Sequence, residues 1–123
     1  MASYLKPEIT TLLAGADLSA KGFHFAKFGA DADHLVASSV SGEKGEGILM
    51  NAPSAAEEPA ELAYAGGAKL KIAATIAAGG EIMSNASGQG VVATTGLYVR
   101  AIAMEAGVSG DIIGVKLVNY QLN

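Results

Sequence analysis

The sequence of 123 residues contains no cysteine. That excludes a disulfide framework, a thiolate nucleophile and a cysteine-ligated zinc centre. It contains no tryptophan, and only 6% of its residues are aromatic. The 50% hydrophobic fraction is therefore mostly Ala, Val, Ile and Leu, which make a core of small side chains. Charge is scarce too, at 16% of residues against an ordinary share of about 25%. A surface this poor in charge is expected to be covered by a partner. Lys and Arg number 8 against 12 acids, for a net charge of −4 and a pI near 5.0. The clustered cations that a nucleic-acid binder needs for phosphate are missing. There is no long hydrophobic run. The most apolar window, residues 72–78, is too short to span a bilayer and is closed by Gly79 and Gly80. The first residues lack a basic segment followed by an apolar stretch. These absences lead to the expectation of one soluble domain, made in a cytoplasm, that binds neither membrane nor nucleic acid.

What is abundant is glycine, 16 in all. Glycine clusters at 42–47, 66–67, 79–80, 88–90 and 107–110 separate runs of strand length. In residues 68–72, Ala68, Leu70 and Ile72 share one face while Lys69 and Lys71 share the other, the period of a half-buried strand. Residues 111–120 carry apolar side chains on both faces, which predicts cover on both sides. In residues 98–106, Ile102 and Met104 share one face, and the small residues Ala101 and Ala103 lie on the other, where a second sheet or chain is expected to approach closely. Further strands are predicted over 21–28, 35–40, 46–51, 61–65, 81–84 and 91–95, with a hairpin loop at 85–90. The pattern predicts an all-β fold, a small barrel or sandwich of about nine short strands with glycine-rich turns. Residues 1–16 read as an N-terminal arm, extended or with one or two helical turns after Pro7, and residues 17–123 as the single β-rich domain.

Few side chains carry a chemical signal. His24, Asp31, Asp33 and His34 fall within eleven residues, and a metal could in principle use them. Their spacing fits no known coordination pattern, and Asp31 and Asp33 suit a polar turn. Gly42 to Gly47 superficially suggests a phosphate loop, but it lacks the Lys-Ser/Thr ending, and Glu43 and Glu46 would repel phosphate. Glu57, Glu58 and Glu61 sit in or beside a proline-bounded loop, where solvation keeps carboxylates ordinary. Two His in one short segment and no Gly-x-Ser-x-Gly elbow leave no triad to assemble. Lys69 and Lys71 alternate along a strand instead of crowning the tight turn of a carrier domain. The expectation is a protein that is not an enzyme and holds no cofactor or metal.

The order of the pieces is more specific than any one of them. Gly45-Glu46-Gly47-Ile48-Leu49-Met50-Asn51-Ala52-Pro53 is followed by Ile76-Ala77-Ala78-Gly79-Gly80-Glu81-Ile82-Met83-Ser84 and Asn85-Ala86-Ser87-Gly88. Then come Ala101-Ile102-Ala103-Met104-Glu105-Ala106 and Gly110-Asp111-Ile112-Ile113-Gly114-Val115-Lys116-Leu117. Over residues 17–119 this resembles the capsid decoration, or head cement, proteins of tailed bacteriophages. Those share a G-I-L-x-N-x-P segment, an I-x-A-G hairpin, an A-x-A strand and a closing G-D-x-x-x-V-x-L strand. The chain departs at Gly80, where the commonest hairpin form has an acid; here the acid is Glu81.

The resemblance implies a homotrimer on the outer surface of an icosahedral virion, at threefold and quasi-threefold positions. There it would clamp neighbouring major capsid proteins and stabilise the expanded head. Tyr4, Leu5, Lys6, Pro7, Ile9, Leu12 and Leu13 are the expected capsid-contact residues of the arm, and removal of residues 1–16 is expected to leave a folded protein that attaches poorly. The competing reading is a small metal- or ligand-binding β-barrel with His24 and His34 as ligands.

Overall fold

The computed structural model describes residues 6–123, and all regular structure among them is strand. The nine strands are β1 (Pro7–Ala14), β2 (Phe25–Phe28), β3 (His34–Ala37), β4 (Gly47–Leu49), β5 (Pro59–Lys71), β6 (Glu81–Ser84), β7 (Gly90–Val92), β8 (Tyr98–Ala103) and β9 (Ile112–Gln121). They form one sheet in the order β1-β3-β2-β4-β5-β9-β8-β6-β7, and β1 also pairs with β5. That extra pairing closes β1, β3, β2, β4 and β5 into a ring, a small barrel with no free edge. The remaining strands continue from the far end of β5 through β9, β8, β6 and β7. They nearly close a second ring, since Ile72 at the end of β5 bridges Gly90 at the start of β7.

β5 is the spine common to both rings. Its first half pairs with β1 and β4, and its second half, from Gly67 to Lys71, with β9. Gly66 and Gly67, which read as a break in the sequence, are the crossing point. Gly66 has φ of 76°, and a Cβ there would strike the Lys6 backbone carbonyl. Glycine is thus needed for close approach of two backbones, and the strand does not stop.

The core follows from period 2. On β2, β4 and β5, consecutive buried residues face opposite ways. Ala26, Leu49 and Leu62 point into the barrel with Ala14, Leu18, Leu35 and Ala60. Phe25, Ile48 and Ala63 point to the other side, onto Leu70, Ile72, Ile82, Ala101, Ile113 and Val115. The β2-β4-β5 wall is therefore buried on both faces where the adjacent apolar pairs Phe25-Ala26, Ile48-Leu49 and Leu62-Ala63 lie side by side. The β6–β7 turn closes the arrangement: the Phe25 N–H donates to Gly88 O at 2.7 Å, and the Gly42 N–H donates to Ser84 O at 2.8 Å.

Several expectations meet this architecture and change. The all-β barrel-like class holds. The number nine also holds, but with different members, because the runs at 61–65 and 68–72 fuse into β5 while the expected arm supplies β1. Residues 7–14 are a strand of the chain's own barrel, and Ala14 is fully buried in it. Residues 101 and 103 do make the close approach that their size suggested, but within the chain, as core. β9 is covered on one face only; Ile112 and Tyr120 on the other are exposed.

Removing residues 1–16 therefore opens the barrel and strips Ala14 and Leu12 from its core. The truncated chain is expected to lose the sharp cooperative unfolding transition of the parent in a thermal melt followed by circular dichroism.

Candidate functional site: a barrel mouth beside a buried arginine

Arg100 lies on β8 yet is only 3% exposed. The register against β9 shifts at this point. Ala101 pairs with Leu117 and Val99 with Tyr120, so Val118 and Asn119 together oppose Arg100. Such a bulge re-aims a side chain. The guanidinium reaches out of the second ring to the first, where Nη1 donates to Ser38 Oγ at 2.7 Å and Nη2 to Ala26 O at 2.8 Å and Gly47 O at 3.3 Å. Its plane lies 4.6 Å from the centre of the Phe25 ring, close enough for a cation–π contact. No carboxylate among the described residues pairs with it directly. Burial pushes its pKa down to about 10, against the opposing pull of Glu43 and Glu46. That corresponds to roughly 3 kcal/mol against the charged form, a cost that the three hydrogen bonds offset. Arg100 thus bolts β8 to β2 and β4.

The bolt sits at the base of a cleft of about 220 Å³ where β9 splits from β5, lined by Gly45, Glu46, Gly47, Tyr64, Ala65, Arg100 and Leu117 to Asn119. Glu46 and Tyr64 also belong to a second, larger cavity of about 390 Å³ with Thr10, Leu12, Phe28, Ala32 and Leu62. Leu12 and Leu62 belong to the barrel's interior cluster, so this cavity is the open end of the barrel. Its rim holds two aromatic side chains largely in solvent, Phe28 at 40% and Tyr64 at 48% exposure. Tyr64 is itself the extra residue of a bulge, where Glu8 pairs with Ala65 and Ile9 with Ala63. An apolar, pre-formed concavity with an aromatic rim is suited to receive a partner's apolar side chain.

The residues picked out by sequence are scattered by comparison. Tyr4 and Leu5 lie outside the described residues. Lys6 is exposed, Pro7 opens β1, Ile9 is exposed on a separate groove with Phe23 and Met50, and Leu13 is half-buried. Leu12 alone of that set reaches the mouth.

The two histidines do not meet. His24 is buried, with Nδ1–H donating to Gly22 O at 2.9 Å; burial, joined by the charges of Lys21 and Lys71, lowers its pKa against that hydrogen bond. His34 is held between Asp31 and Glu57. No group of three His, Asp or Glu among the described residues is arranged to hold a metal. Glu43 turns inward to accept the Ser39 and Val40 N–H groups and pairs with Lys27 at 3.2 Å. Burial raises the pKa of its carboxyl, but these bonds outweigh that and lower it overall. Glu58 accepts from the Ser54 and Ala55 amides. The acids therefore serve to fix loops.

No family model matches the chain, and no curated protein matches it. Among solved structures it is similar to the head fiber gp8.5 N base in bacteriophage phi29, with a TM-score of 0.75 at 10% identity. The alignment spans 94% of this chain and 99% of that one. At this identity the likeness is one of fold, and it extends over both rings.

Shortening Arg100 to Ala removes its hydrogen bonds to Ser38 Oγ, Ala26 O and Gly47 O together with the Phe25 contact, and opens a cavity. A loss of about 3–5 kcal/mol is expected in urea unfolding, and Arg100→Lys is expected to recover less than half, since a single ammonium cannot span the same partners. Gly45→Ala drives a Cβ into the guanidinium and is expected to cost about 1–3 kcal/mol, while Gly22→Ala, whose Cβ would meet only ordinary contacts, stays within about 0.5 kcal/mol.

Proposed function

We propose that this protein is a structural component of a phage head that binds the outer surface of the shell and holds neighbouring major capsid proteins together, without catalysis or a cofactor. The observation that carries the reading is the similarity of fold, over nearly the whole chain, to the base of a phage head fiber. The order of sequence pieces resembling head cement proteins supports it independently. So does the surface, which is poor in charge and carries exposed Phe28, Tyr64, Ile112 and Tyr120.

In this reading the barrel mouth is the docking point. A loop of the major capsid protein places an apolar side chain between Phe28 and Tyr64, over Leu12 and Leu62. The uncovered face of β9, with Ile112, Val118 and Tyr120, packs against a second copy in a trimer. Each trimer then contacts several capsid subunits at once. Modest contacts of about 800 Å² per partner add up through effective concentration, and binding the expanded shell better than its alternatives stabilises it by linkage.

The test is co-sedimentation with undecorated, expanded heads. Phe28→Glu combined with Tyr64→Glu is expected to lower occupancy at least about tenfold, the effect of losing one buried anchor, with the melting temperature little changed. Val108→Glu, on an exposed loop remote from the mouth, is expected to bind as the parent does. Full occupancy by the double variant would overturn the docking assignment. Light scattering of the parent is expected to show a trimer or a monomer–trimer mixture.

A further inference from the structure

His34 opens β3 and lies where two loops meet, with each ring nitrogen facing a carboxylate. Nδ1 is 2.7 Å from Asp31 Oδ1, in the β2–β3 turn, and Nε2 is 2.9 Å from Glu57 Oε1, in the long β4–β5 loop. An ionised carboxylate only accepts hydrogen bonds, so each ring nitrogen must donate. Neutral imidazole has one N–H; only the imidazolium has two. The geometry therefore fits the charged ring alone. We propose that His34 is a pH-operated latch: its imidazolium pins Glu57, in the loop at residues 50–58, to the β2–β3 turn, and loss of its proton releases one of the two contacts and loosens that loop around Glu57.

The surroundings are consistent with this. Asp31 accepts the Asp33 N–H at 3.0 Å as well as the imidazolium, so that carboxylate stays fixed to its own turn. Glu57 is the weaker partner. Its φ is 73°, a left-handed conformation rarely adopted outside glycine. Beyond the ring, its own N–H donates to Ala14 O at 2.8 Å, while the Ala14 N–H donates to Glu58 O and the Leu18 N–H to Pro53 O, so the loop keeps its backbone anchors on either side of Glu57.

From β1, the neighbours Thr11, Leu12 and Leu13 bring no charge. From the β2–β3 turn come Asp31 and Asp33, and from the β4–β5 loop come Glu57 and also Glu58, whose carboxylate is turned to Ser54 and Ala55. Among the described residues, the charged groups around the ring are thus all acidic. The hydrogen bonds that the ring donates to Asp31 and then to Glu57 raise the pKa of His34, and the bond to Asp31 holds that carboxyl low. A histidine whose pKa is raised by folding stabilises the folded state fully below its ordinary value near 6.5, and that contribution fades as pH rises through the raised value.

The test is NMR on the full chain. In 15N spectra at about pH 5.5, both His34 nitrogens are expected to be protonated. The ring is expected to titrate above an unperturbed histidine, and His24 below one. The protection factor of the Glu57 amide, corrected for intrinsic exchange, is expected to fall several-fold between about pH 5.5 and about pH 9, in step with the His34 titration. Glu57→Gln, an exposed and conservative change, is expected to lower the His34 pKa and flatten that dependence. His34→Gln is expected to abolish it. A His34 that titrates at or below the unperturbed value, or Glu57 protection that is equal at both pH values in the parent, would overturn the proposal. Neither readout involves capsids, so the latch stands or falls apart from the assigned function.

Discussion

A single buried guanidinium is the side-chain tie between the two rings of this molecule. The two rings share the spine β5 and an apolar wall, but apolar contact alone does not fix their relative orientation. Arg100 helps to, beside the backbone bonds from Phe25 to Gly88 and from Gly42 to Ser84, because its fork is planar and its acceptors are backbone carbonyls of β2 and β4 together with one serine hydroxyl. The surrounding sequence is fitted to it: Gly45 leaves the space, Phe25 supplies the face, and β9 bulges opposite it at Val118 and Asn119. Burying a cation without a paired carboxylate is costly, and it persists where hydrogen bonds make the location unique.

That rigidity bears on the surface. Glu46 and Tyr64 belong both to the Arg100 cleft and to the barrel mouth. Gly47, whose carbonyl accepts from Arg100, lies next to Glu46 in the chain. The arginine therefore fixes one side of the rim in which Tyr64 stands. A rim held in this way loses little freedom on binding. The loops opposite are held by the acids at Glu43 and Glu58 and by the His34 bridge, so the few charges in the sequence are spent largely on fixing turns.

Much of the fold was legible in the residues. Ala68, Leu70 and Ile72 alternate with Lys69 and Lys71 as a one-sided strand, and 81–84 with the turn at Asn85 forms the β6–β7 hairpin as read. What misled were glycines and length. Gly66 and Gly67 look like punctuation, yet they mark a backbone crossing that depends on β1 lying alongside. Residues 7–14 have weak local preference of either kind, and they become a strand because β5 offers an edge, which is a tertiary effect. Arg100 was invisible for a similar reason: along β8 it shares parity with Ile102, and its partners Ser38, Ala26 and Gly47 lie far off in the sequence. Phe28 and Tyr64 were passed over because an isolated aromatic in a strand reads as core. Their position at an open barrel end emerges only once the ring is closed.

The account rests on the barrel mouth being the face that meets the shell. A cryo-electron microscopy reconstruction of expanded heads decorated with the purified protein tests this directly. The account predicts trimeric density on the outer surface, with Phe28 and Tyr64 buried against the major capsid protein and the β6–β7 end pointing outward. Density with the mouth open to solvent, or heads that carry none of this protein at saturating concentration, would contradict it.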